Sequence, residues 1–270
     1  MSHPLDSLVF INIPDSHDLS GFIAGFDSSI PLPVQLSAPG EKFDPANLSK
    51  EMILAGILTV FAWDQENAHL DYYRSLMQAA APNIREELTE AAILKIRNGD
   101  FEMAEEIFRS LRGLDPDDMT TVLNLALLMD ERADSMRRSG LEEEADAFDA
   151  EAFAHYRQAM AAEPPMPEAF FNAGYFFLKQ KNFRKARQAL EAFLQTETDK
   201  SDRTAERKER AKAIIEEISS RDLDDDLFKS AYDFITIGQE EKGLEAVREF
   251  LEHHPKVWNG WFLLGWALRR

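Results

Sequence analysis

A chain of 270 residues, 44% of them apolar, holds one or two compact units or one elongated array, with ample material for a core. Its 30 Lys and Arg against 49 Asp and Glu give a net charge of −19, which repels phosphate backbones and, without a local basic patch, excludes nucleic acid as a partner. The absence of cysteine excludes thiol catalysis, disulfides and thiolate zinc sites.

The first Lys or Arg is Lys42, so the apolar run Leu8-Val9-Phe10-Ile11 lacks both the basic flank and the length of a signal peptide. Half of the 12 prolines lie in residues 1–45, and residues 1–44 read as an irregular arm. Within it Leu8 to Ile13 and Pro33 to Leu36 are candidate extended segments, the second confined to an edge by its proline. The arm is expected to pack on the first helices rather than form a core of its own. The longest apolar stretch, residues 52–63, falls well short of the ~20 residues needed to cross a bilayer and reads as a buried helix. No membrane association and a cytoplasmic location follow as expectations.

From Pro45 onward apolar residues recur three and four apart, as amphipathic helices require. Pro82 and Pro116 each close such a stretch and lie 34 residues apart. Between them stand Leu88, Ala91-Ala92, Gly99-Asp100-Phe101, Ala104, Phe108 and Leu111: a large residue, a small pair, a turn glycine, then a small residue on a second helix. The same order returns in Phe170, Ala173-Gly174, Asn182-Phe183, Ala186, Leu190 and Phe193, and again in Leu227, Ser230-Ala231, Phe234, Gly238, Gly243, Val247, Phe250 and Pro255. Small residues at Ala92, Gly174 and Ala231 let the two helices of a pair approach closely. The pattern resembles the tetratricopeptide repeat, a helix-turn-helix unit of the same length. The resemblance covers about residues 51–270 and implies an all-α fold: a right-handed α-solenoid of helix pairs preceded by the irregular arm.

On this reading the pairs span about residues 51–84, 85–118, 119–166, 167–200 and 224–257. The first is divergent, with Leu58 where a small residue is usual. In the third, the turn glycine Gly140 comes seven residues late and Pro164 fourteen late, so both helices gain about two turns, or ~10 Å, and are expected to form a coiled-coil-like ridge. Ala205, Ala211, Ile214, Ile215 and Ile218 mark an extra helix over about residues 205–219. Trp258, Trp261, Leu264-Gly265 and Leu268 resemble the first helix of a further pair, residues 258–270, whose second helix would fall beyond Arg270. Either further repeats or another chain is expected to cover that end.

No spacing of residues asks for catalysis, a cofactor or a metal: there is no phosphate-binding glycine loop, nucleophile elbow, zinc helix or calcium loop. The run Arg203-Arg207-Lys208-Arg210-Lys212 is interleaved with Glu206, Glu209, Glu216 and Glu217 and reads as a solvated, self-paired face. Asp115 to Asp118 and Asp222 to Asp226 read as caps placed before helices, and His253-His254 as groups at a helix C-terminus.

Tetratricopeptide arrays bind peptide segments on a concave wall made by the first helix of each pair. Carried onto this chain, the slots that face such a groove hold Phe171 and Tyr175, Phe228 and Tyr232, and Phe262 and Trp266, with Glu168 and Asp225 as acids and Asn124 and Asn172 as amide clamps for a bound backbone. Thr89, Ile93, Leu123 and Glu168 stand where the basic clamp of chaperone-binding members needs polar or basic groups, so chaperone tails are not expected ligands. Core packing remains open for Phe171 and Phe228, while the hydroxyls of Tyr175 and Tyr232 suit a wet edge. The resemblance implies a non-enzymatic scaffold binding an apolar or basic peptide segment. The alternative is a self-assembling protein that oligomerises through its repeats, its lengthened pair and the Trp-rich C-terminal helix.

Overall fold

The computed structural model describes residues 3–13 and 26–269, and of residues 221–226 the helical backbone alone. The chain divides into two compact units, residues 1–169 and 170–270. Among the described residues the fold is all-α apart from one two-stranded ribbon.

In the first unit β1 (Leu8–Ile11) pairs antiparallel with β2 (Leu32–Gln35), Val9 opposite Val34. Leu32 and Val34 are fully buried, and with Ile13 and Leu36 they share one core with Ile53, Ile57, Val60 and Phe61 of α1 (Lys50–Trp63) and Tyr73, Leu76 and Met77 of α2 (Leu70–Ala80). The ribbon thus has no core apart from the helices. Its seat on α1 depends on Gly56, where a Cβ would collide with the carbonyl of Pro33. Polar groups at this join are paired: Thr59 Oγ1 donates to Gln35 Oε1 at 2.9 Å, and Tyr73 Oη donates to the Pro31 carbonyl at 2.7 Å. Burial pushes the Tyr73 phenol up to about 12.

Four helices complete this unit: α3 (Ile84–Arg97), α4 (Phe101–Leu114), α5 (Met119–Arg138) and α6 (Glu142–Met160). The pairs α3–α4 and α5–α6 turn at Gly99 and Gly140, both near φ 76°, a left-handed conformation that costs glycine nothing. The lengthening of the second pair is real, 20 and 19 residues against 14 and 14, and α5 packs along α6. Arg137 of α5 pairs with the mostly buried Asp149 of α6 near the far end. Residues 51–84 depart from the expected pair: α1 packs on α4 and β2, and touches α2 slightly. The reason lies in where the small residues are. Gly113 of α4 lets that helix meet the backbone of Phe61, and Ser110 Oγ donates to the Leu58 carbonyl at 3.0 Å.

The second unit contains most of α7 (Pro167–Lys179), then α8 (Phe183–Thr196), α9 (Asp202–Thr236), α10 (Glu240–His253) and α11 (Trp258–Arg269). Close approach in the α7–α8 pair follows the sequence pattern: a Cβ at Gly174 would lie 2.6 Å from Leu190. The expected break between an extra helix ending near 219 and a new helix at 224 is absent. Residues 202–236 form one helix, because they contain neither Pro nor Gly, and aspartates in a helix interior cost a few tenths of a kcal/mol each rather than the ~3 of proline. Asp222 to Asp226 are therefore interior to α9 rather than caps. The true cap is Ser201, whose Oγ accepts from Thr204 N at 3.3 Å. Hydrogen bonds from Ser201 and Thr204 hold the Asp199 carboxyl down at about 2.

Candidate functional site

The α7–α8 pair carries the first two aromatic slots, and both differ from the groove expectation. Phe171 is 9% exposed, its ring 4.9 Å from Phe193 and 5.0 Å from Tyr175. The N-terminal half of α9 covers it: Ala211 belongs to the same core, Ile214 and Ile215 pack against that core, and the Arg207 guanidinium rests 5.2 Å from the Phe171 ring. Arg207 is thus part of the packing rather than of a wholly solvated basic face. Tyr175 is half-buried, and its hydroxyl is enclosed rather than at a wet edge. Phe171 belongs to this core and Tyr175 packs against it, because the inserted stretch, which the repeat pattern does not contain, folds over this pair.

The next slots behave differently. Phe228 is half-buried with its ring 5.2 Å from Phe250 of α10, so it lies in the α9–α10 seam. Tyr232, one turn on, is 51% exposed, and its ring lies 5.7 Å from that of Trp266 on α11. Phe262, one turn before Trp266, is 64% exposed. Tyr232, Phe262 and Trp266 therefore form an aromatic face carried by two neighbouring helices of one unit. Of the polar slots, Asn172 is half-buried on α7 and already engaged, and the Asp225 side chain lies outside the described residues. Asn124 on α5 and Glu168 at the start of α7 belong to the first unit, the former half-buried and the latter exposed.

The first unit holds a concavity that sequence reasoning did not find. Where the end of α1 meets α4, α5 and α6, a cleft of about 250 Å³ is bordered by Gln65, Glu105, Arg109, Arg112, Glu151 and His155. Glu105 is shared by two of the arginines, Arg109 Nε donating to it at 2.9 Å and Arg132 also pairing with it, while Arg112 Nη2 donates to the Gln158 amide at 3.2 Å. Burial, helped by Arg112 and Arg109, holds the His155 imidazole below its usual range. These residues are up to 90 positions apart in sequence, so no local spacing announces them. Among the described residues no cluster of His, Asp or Glu has the makings of a metal site, and no helix is long and apolar enough to cross a membrane. No protein-family model matches the chain, and no curated protein matches it.

Proposed function

We propose that this chain is a non-enzymatic interaction scaffold of the tetratricopeptide type, a right-handed array of helix pairs that binds an apolar, basic peptide segment. The family reading is supported by the 34-residue spacing, the small residues that seat Leu190 against α7, and glycine turns at 99, 140 and 238. The observation that carries the function is the aromatic face of the second unit: Tyr232, half exposed with its ring tilted against that of Trp266, and Phe262 one turn before Trp266 on the same helix. Large aromatics held at a surface by their neighbours give contact area with little loss of side-chain entropy on binding, which is why they dominate recognition surfaces. The net charge of −19 favours a cationic segment and speeds its encounter at low salt.

The test is a titration with an extended probe, a proline-punctuated Lys/Leu peptide of about 12 residues, against its Glu/Leu counterpart. The basic peptide should bind more tightly, and Tyr232→Ala should weaken it about tenfold while the melting temperature stays within about 2 °C of wild type. Equal binding of the two peptides, or binding untouched by Tyr232→Ala, would refute the assignment.

A further inference from the structure

Arg112 and Gln65 border not only the cleft beside His155 but a second one, of about 230 Å³, where the end of α1 meets α2 and the end of α4. Phe61, Leu70, Arg74, Gly113 and Pro116 complete its border. The local sequence builds it. Gly113 seats α4 on the backbone of Phe61, and Pro116 follows just after α4 has ended. Asn67 shapes the loop that carries Gln65, donating to Asp64 at 2.8 Å and accepting from His69 N at 3.0 Å. Arg74 Nε donates to the Gly113 carbonyl at 2.8 Å, which ties α2 to the end of α4.

No carboxylate borders this cleft, in contrast to the first, where Glu105 and Glu151 stand. Of its two guanidinium groups, that of Arg74 is answered by Asp71 at 2.7 Å. Arg112 is half-buried and pairs with no carboxylate among the described residues, and its Nη2 donates to the neutral Gln158 amide at 3.2 Å. A guanidinium offers several N–H donors and cannot give up its proton, so most of the donors and a full charge are left over. That charge acts on its surroundings: after burial, Arg112 is the main reason that the His155 imidazole lies below its usual range. Tying α4 to α6 through Gln158 needs one donor and no charge. The cation in the cleft is therefore surplus to the fold.

The surplus specifies the amount of charge a ligand should bring as well as its sign. One unpaired guanidinium balances one negative charge, and its fork matches the two oxygens of a carboxylate. A phosphate monoester carries about −1.5 to −2 at pH 7, and its excess charge would be repelled by Glu105 and Glu151 of the neighbouring cleft. Half-buried Leu70 and exposed Pro116 offer apolar surface on the same border. At about 230 Å³ the cleft falls below the ~300–1,000 Å³ of sites for drug-sized molecules, so it suits an acid of about ten non-hydrogen atoms rather than a nucleotide or a peptide.

We infer that this cleft is a binding site for a small monocarboxylate with an apolar body, the carboxylate held by Arg112 and Gln65 and the body laid against Leu70 and Pro116. The site belongs to the first unit and does not depend on the aromatic face of the second. A peptide C-terminus carries the same group on a longer body, and the test separates the two sources.

Phenylacetate is the probe, titrated into the full chain by calorimetry beside phenylacetamide, phenyl phosphate and the peptide acetyl-Gly-Gly-Phe with its carboxylate free. Phenylacetate should bind saturably, with a dissociation constant of about 1 mM or below, roughly tenfold tighter than the neutral amide and at least about threefold tighter than the phosphate or the peptide. Arg112→Gln removes the charge while keeping a donor for Gln158. It should weaken phenylacetate about tenfold or more with the melting temperature within about 2 °C of wild type, and Arg112→Lys, which restores the charge without the fork, should recover part of the loss. Should Arg112→Gln fold poorly, Gln65→Glu carries the test from an exposed position: its carboxylate would pair with Arg112 in place of the ligand and weaken phenylacetate about fivefold or more. The inference is overturned by no saturable binding at about 10 mM phenylacetate, by equal binding of acid and amide, by tighter binding of the phosphate or the peptide, or by unchanged binding in either folded variant.

Discussion

The hydroxyl of Tyr175 is shut off from water and has no hydrogen-bond partner among the described residues, while its ring packs 5.0 Å from Phe171. An enclosed, unpaired hydroxyl costs ~1–3 kcal/mol. Tyr175→Phe keeps the ring and removes that cost, so it is expected to stabilise the fold by about 1 kcal/mol, read as a higher urea midpoint at unchanged slope. Phe193→Ala, which empties a fully buried site, should instead cost about 3–5 kcal/mol. A Tyr175→Phe variant less stable than wild type would mean that the hydroxyl is paired after all. Repeat phase makes Phe171, Tyr175, Phe228 and Tyr232 look alike in the sequence. Their exposures differ because exposure depends on what lies across from a residue, and at Phe171 that is Ala211 and Arg207, some 40 positions away.

Helix ends and helix partners were legible to different degrees. Gly99, Gly140 and Gly238 place three inter-helix turns because a left-handed backbone is a local demand that glycine meets, and the seven-residue delay of Gly140 gave the lengthened α5–α6 pair directly. The continuity of α9 was missed because an acidic run that caps a helix and one that lies inside a helix have the same composition. The two readings diverge under proline substitution. At the first turn of a helix proline is tolerated, whereas in the interior it removes a hydrogen bond and clashes with the preceding turn. Asp224→Pro is therefore expected to destabilise the protein by about 3 kcal/mol or more and to lower its helical circular dichroism. A loss below about 1 kcal/mol would restore the break at 224. The departure of α1 from its expected partner has a similar origin: small residues announce a close approach, but Gly56 and Gly113 do not say which element approaches.

Across the whole molecule, 49 acids against 30 bases make self-repulsion a general term opposing the folded state. Raising salt from about 0.05 M to 0.5 M shortens the screening length from more than 10 Å to a few Å, so the melting temperature is expected to rise by a few degrees. The mostly buried pairs Arg132–Glu105 and Arg137–Asp149 are shielded from solvent and should resist that screening. A fall in melting temperature would show instead that exposed pairs such as Lys212–Glu209 outweigh the repulsion. Sequence alone determined the all-α class, the helix-pair spacing and the lengthened α5–α6 pair, since each is written in local periodicity, turn chemistry or the distance between equivalent residues. Tertiary structure alone decided that Phe171 is core with Tyr175 packed against it while Tyr232 and Phe262 face outward, that α1 rests on α4, and that the cleft beside Arg112 exists. Those outcomes depend on which surfaces, remote in sequence, come together to exclude water, and hydrophobic burial is non-directional: a stripe of apolar residues specifies that it will be covered, not by what.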